Sequence, residues 1–219
     1  MNANRPAPTL RLLVGVLAAV VATTTALGIV VALVRPAPGG LWGYVDVLEP
    51  YNFPSWFHAT LLLLTALACL VAALAARARA RRDTWWWVAA ALGPAVSSLC
   101  VATGLHTRID GLGRQVLGTN ALTSDWLPAA VLAGVVLAVP FAVLARRVPH
   151  GRWLITAVAT FGVGALGGEL LTRALGDGGR ALAVLAEGVQ DAGAAALLVV
   201  VLLAVRVVAD GDAVRLLPA

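Results

Sequence analysis

The 219-residue chain is 60% hydrophobic and only 12% charged, whereas a soluble domain carries about a quarter charged residues. Its basic groups are 16 arginines, with no lysine, against 11 acids. The arginines stand at the ends of apolar runs and form no patch interleaved with aromatics, which excludes a nucleic-acid surface as the expected role. Apolar runs approaching twenty residues recur and do not alternate, so the expected class is an all-α, multi-pass helix bundle in the cell membrane rather than a barrel.

Roughly 20 residues at 1.5 Å each cross a hydrocarbon layer of about 30 Å. On that measure the chain predicts about six transmembrane helices in one domain, near 12–34, 56–76, 85–105, 126–144, 153–171 and 184–208. The first run is longer than the apolar region of a signal peptide and ends at Arg35 without a small-x-small cleavage site, so it reads as a retained helix. Thr23, Thr24 and Thr25 within it are expected to bond back to their own helix or to touch a neighbour. The string "EPYNFPSWF" (49–57) stops any helix at the edge of the second span, with Ser55 as N-cap and Trp56 and Phe57 at the interface. Pro94 should kink the third span, beside Ser97 and Ser98. Beyond it, Leu105, Ile109, Leu112 and Val116 share a helical face, so that helix is expected to run on past the membrane or to lie along its surface. Gly164 and Gly168 in the fifth span have the spacing that lets two helices approach closely.

Placing both termini inside puts eleven arginines in the cytoplasm and five outside. The short connections "RARARR" (77–82) and "RRVPHGR" (146–152) carry most of this bias, which predicts an N-in/C-in topology. The two longer outer connections are then 35–55 and 106–125. Topology alone gathers His58, His106, Glu169, Glu187 and Asp191 on the outer side, with Asp46, Glu49 and Asp110 in the outer loops. Glu49, Asn52 and Asp110 are candidate rim groups of an outward-facing vestibule.

Asp191 stands above the apolar string "AGAAALLVVVLL" (192–203). A charged acid there costs several kcal/mol unless it pairs, faces water or takes up a proton. Three readings stay open: it bonds a Thr, Ser, Trp or Arg of a neighbouring helix, it acts chemically, or it lies shallow enough to be exposed. Glu187 lies one turn earlier on the same face, and Glu169 precedes Arg173 by four residues in the order that favours pairing. His106, Glu187, Asp191 and Glu169 are the catalytic candidates. His58, His106, Glu169 and Glu187 form a mixed nitrogen and oxygen set suited to a divalent metal, although no HExxH or ExxH spacing supports it. Two imidazoles at one level also admit a b-type haem. Cys69 and Cys100 lie in apolar runs without CxxC spacing and read as small buried side chains.

The strings "EPYNFPSWF", "SSLCVATGLHTRIDGLG", "GALGGEL" and "LAEGVQDAGA" together resemble a family of small bacterial multi-pass membrane proteins. Its members carry an Asn-x-Pro-[Thr/Ser]-Trp-Phe run, a Ser-Leu-Asp-Glu string followed by His-Glu, and an acid-rich start to the last helix. Glu49, Asn52, Pro54, Trp56 and Phe57 fit the first motif. Ser98, Leu99 and His106 fit the second, with Glu169, Glu187 and Asp191 matching the later acids. Cys100, Val101 and Thr107 stand where the resemblance implies acids, so half of any catalytic constellation is missing, and the likeness brings no activity with it. Three functions are therefore weighed. The first is an accessory or structural membrane subunit with a polar outer pocket, contacting membrane lipid and a protein partner or a second copy. The others are a membrane-embedded enzyme or metal protein acting on a lipophilic or extracytoplasmic substrate, and a proton- or cation-coupled transporter.

Overall fold

The computed structural model describes residues 8–34, 40–46, 48, 52–104, 127–148 and 151–210. Six α-helices occupy them: α1 (Pro8–Val34), α2 (Phe53–Ala78), α3 (Thr84–Thr103), α4 (Leu127–Ala145), α5 (Gly151–Leu175) and α6 (Arg180–Asp210). Short 3-10 turns at Gly40–Tyr44 and Gly176–Gly179 lead toward α2 and into α6. α2 packs on α3, α3 on α4, α4 on α5 and α5 on α6, while α6 returns to α2 and closes a ring. α1 stands outside this ring, against α6.

The chain is a polytopic, all-α membrane bundle, but with fewer long apolar spans than expected. Among the described residues, four helical stretches are long and apolar enough to cross a membrane: Thr9–Val34, Phe53–Ala78, Thr84–Thr103 and Arg180–Val208. Against the six expected, four meet that criterion among the described residues. α4 contributes a shorter apolar stretch, Gly134–Ala145. α5 dilutes its apolar residues with five glycines and carries Arg152, Glu169 and Arg173. Glycine adds little hydropathy, yet in a membrane bundle it is the residue that lets two backbones touch.

That use of glycine is visible where α5 meets α6. A Cβ on Gly164 would fall 2.3 Å from the Gln190 nitrogen, and one on Gly193 would fall 2.3 Å from the Phe161 nitrogen. The two helices thus press backbone to backbone through one glycine each. Gly168, the other half of the expected pair, is looser, with Ala186 Cβ at 3.6 Å from the same construction. On the opposite side of α6, Gly188 receives Thr25 of α1, whose Oγ1 would stand 2.4 Å from an added Cβ. Thr24 bonds back to the Val20 and Val21 carbonyls, 3.0 Å each.

Local signals set the other helix ends. Asn52, rather than Ser55, caps α2: its side chain accepts the Ser55 N–H at 2.9 Å, and Pro54 fits the first turn because no intrahelical donor is needed there. α3 runs through Pro94 and ends at Gly104, a left-handed residue with φ 61°. α3 therefore does not run straight on past Thr103, and the expected surface-lying face of Leu105, Ile109, Leu112 and Val116 lies outside the described residues. Ser98 does not serve the carbonyl freed by Pro94; its hydroxyl donates across to the Ala59 carbonyl of α2 at 2.8 Å. Away from these polar joints the ring is filled by apolar side chains, among them Leu61, Leu62, Cys69, Trp87, Leu144, Leu154 and Val201.

Gly164→Val should weaken the fold by about 1–3 kcal/mol or more, since the added carbons meet backbone that cannot yield. Gly162→Ala, on the same helix with nothing within 4 Å of its added Cβ, should be neutral or slightly stabilising. Unfolding of the purified protein in mixed micelles reads both, and equal losses would contradict the assigned contact.

Candidate functional site

The capped start of α2 brings His58 into its second turn, turned inward and 6% exposed. Asp191 lies eleven residues after the start of α6, roughly 16 Å along the axis, and is also 6% exposed. His58 Nδ1 and Asp191 Oδ1 are 2.5 Å apart. On the other edge of the ring, His58 Nε2 faces Gln190 Nε2 at 3.2 Å. Phe161 of α5 stacks on the imidazole, with centroids 5.8 Å apart and planes 20° from parallel. Three helices thus meet on one histidine. The Gly164–Gln190 and Gly193–Phe161 contacts hold α5 and α6 at the separation that lets Phe161, Gln190 and Asp191 reach it.

The proton arrangement follows from the partners. A Gln190 amide donating to Nε2 leaves the imidazole proton on Nδ1, where it is donated to the carboxylate. A half-turn of that amide would present its oxygen instead and accept from a doubly protonated ring. Glutamine therefore satisfies either state, and the carboxylate is bonded in both. An unpaired carboxylate at this depth would be costly.

A second charged pair ties a loop to the bundle. Arg180, at the first turn of α6, donates from Nη2 to Asp46 Oδ2 at 3.1 Å. Asp46 Oδ1 accepts the Leu48 N–H at 3.1 Å, and Asn52 Nδ2 donates to the Asp46 carbonyl. Asn52 is 3% exposed, so one side chain both caps α2 and fastens the preceding loop. At the opposite end, Arg81 grips Asp83 through Nε and Nη2 at 3.1 and 2.9 Å.

Of the residues singled out in the sequence, His58 and Asp191 come together, although neither Thr, Ser, Trp nor Arg is the partner of the acid. Glu187 lies one turn above Asp191 and half-buried, close to Gly168, where an added Cβ would meet its Oε1 at 3.5 Å. His106, Asp110 and Glu49 lie outside the described residues, as does the side chain of Glu169. Among the described residues, no three His, Cys, Asp or Glu side chains are grouped to hold a metal ion. Both ring nitrogens of His58 are engaged, so ligating a metal or haem iron there would require Gln190 or Asp191 to withdraw. The imidazole and carboxylate form the base half of a relay, and the buried hydroxyls of Ser98 and Thr65 are committed to the Ala59 and Leu61 carbonyls.

The sequence reading did not single out Gln190, Phe161 or Arg180. Gln190 adjoins Asp191 in the chain, and its polarity inside an apolar helix was the available signal. Nothing local marks Phe161 as a ring-stacking partner.

The pattern of the family described as "Domain of unknown function (DUF8692)" matches residues 12–208. The chain belongs to that family. The match extends from α1 almost to the end of α6, so the whole described bundle is the DUF8692 unit. Together with the four long apolar helices it shows a multi-pass membrane protein. No curated protein and no solved structure matches the chain.

Removing one member of the His58–Asp191 pair should cost about 3–5 kcal/mol, because its partner stays buried and unsatisfied. His58→Phe with Asp191→Leu together should cost less than the sum of the two single changes. A double-mutant cycle on micellar unfolding measures this coupling, and additive losses would contradict a direct pair.

Proposed function

We propose that this DUF8692 protein is an accessory integral membrane subunit, N-in/C-in, whose polar residues serve helix assembly before chemistry. The observation that carries this reading is closure: the buried acids Asp191, Asp46 and Asp83 each meet a cationic or imidazole partner within the chain. Apolar packing occupies the rest of the ring, and the hydroxyls of Ser98 and Thr65 are spent on backbone carbonyls. Cys100, Val101 and Thr107 at positions where the resemblance implies acids favour the same reading. A partner membrane protein or a second copy would then be held by the outward apolar faces and the loops. The excess of arginine in 77–82 and 146–152 supports placing those connections in the cytoplasm.

Topology is checked by labelling single cysteines in a Cys69→Ala, Cys100→Ala background. Arg79→Cys should react only after the membrane is opened, and Gly43→Cys should react from outside. The reverse pattern would overturn N-in/C-in. For the subunit reading, in-cell crosslinking followed by native purification should give a stoichiometric assembly that survives in Asp191→Asn whenever that variant folds. A lone monomer would contradict it.

A second reading is proton handling, favoured by the His58–Asp191–Gln190 arrangement, in which the glutamine amide can meet either form of the imidazole. Deeper along α2, Leu61, Leu62, Cys69 and Ala72 are buried among apolar neighbours, which supports access from one end rather than a path through the bundle. Proton flux into proteoliposomes, abolished by Asp191→Asn, would replace the subunit reading with transport.

A further inference from the structure

A cleft of about 290 Å³ lies between α1 and the segment leading into α2, away from the His58 cluster. Ala19, Thr23 and Leu27 of α1 face Val45, Phe53 and Pro54 across it. Its walls are almost wholly apolar; of the two lining threonines, Thr24 spends its hydroxyl on its own helix. Ala19, Thr23 and Leu27 are exposed on α1, so the cleft opens sideways, toward the hydrocarbon that surrounds an apolar span. One turn of helix, at a diameter of 10–12 Å and a pitch of 5.4 Å, takes up on the order of 500 Å³. The cleft holds less than one turn of a partner's helix, and an apolar groove open to hydrocarbon takes part of one acyl chain.

Its mouth has headgroup chemistry. Trp42, Tyr44, Phe53 and Trp56, 47–67% exposed, gather on the adjoining segments, as aromatics do at the level of lipid headgroups. Val45 lines the cleft, and the next residue, Asp46, holds Arg180. That arginine side chain is 35% exposed, and its bond to Asp46 leaves further guanidinium donors in a fork that matches phosphate.

We propose that the cleft and Arg180 together form a binding site for one phospholipid, with an acyl chain lying along α1 and the phosphate on the guanidinium. Asp46 holds the arginine at the mouth, and the apolar walls select for hydrocarbon. The site is independent of whether the protein serves as a subunit or handles protons.

The test is native mass spectrometry of the full chain in detergent, titrated with phosphatidylglycerol and with a diacylglycerol of the same chains. The wild type should hold one phosphatidylglycerol about tenfold or more tightly than the diacylglycerol, the scale of one charged hydrogen bond. Arg180→Gln should erase that preference while leaving diacylglycerol binding, and Arg180→Lys should restore part of it. Ala19→Phe or Thr23→Phe, which add bulk from exposed positions, should lose both lipids, whereas Leu33→Phe, outside the cleft, should keep both. Equal retention of the two lipids by the wild type, no lipid retained at all, or unchanged retention in folded Ala19→Phe and Thr23→Phe would overturn the proposal. Should the phenylalanine variants fail to fold, the Arg180 series against the two lipids decides it.

Discussion

The bond between His58 and Asp191 is the interaction around which the bundle is organised. A carboxylate more than two turns into an apolar helix is tolerated only with a donor in contact. The donor comes from α2, more than a hundred residues earlier in the chain, so this one requirement fixes the rotation of α2 against α6. Phe161 and Gln190 complete the setting by covering one ring face and one ring edge. The glycine contacts between α5 and α6 are the geometric condition for it, since a methyl at Gly164 or Gly193 would push the two helices apart.

Association between helices in lipid lacks the water-driven force that packs a soluble core, and rests on close fit and polar bonds. This chain uses both in the same place. Glycine provides the fit on either side of α6, against Phe161 of α5 and Thr25 of α1, while polar bonds run from α6 to α2 and from Arg180 to the Asp46 loop. α6 is thus the shared wall of the bundle, and the neighbours on its sides give Asp191 a partner.

Much of this was legible in the sequence. Six helical segments follow from apolar runs punctuated by arginine and tryptophan, and the depth of Asp191 marked it as needing a partner. The close approach at Gly164 was visible as well. Of the six expected spans, four are long and apolar enough among the described residues to cross a membrane. The partner of Asp191 was missed because register between distant helices is a tertiary property: His58 shares a level with several polar groups, and only packing selects one. Asn52, expected at the rim of a vestibule, is instead buried, because its two roles, capping α2 and holding the Asp46 carbonyl, depend on a loop conformation no local pattern specifies. For His106, Asp110 and Glu49, which fall outside the described residues, the sequence expectation stands as first drawn.

The most direct test of the account is 15N NMR of the histidine rings in lipid bilayers, with His106 and His150 replaced so that His58 alone reports. The account predicts an imidazole whose Nδ1 proton is held in a strong hydrogen bond, shielded from exchange with water, and whose signature collapses in Asp191→Asn. A ring in rapid tautomeric exchange, open to water and unchanged by Asp191→Asn, would contradict it.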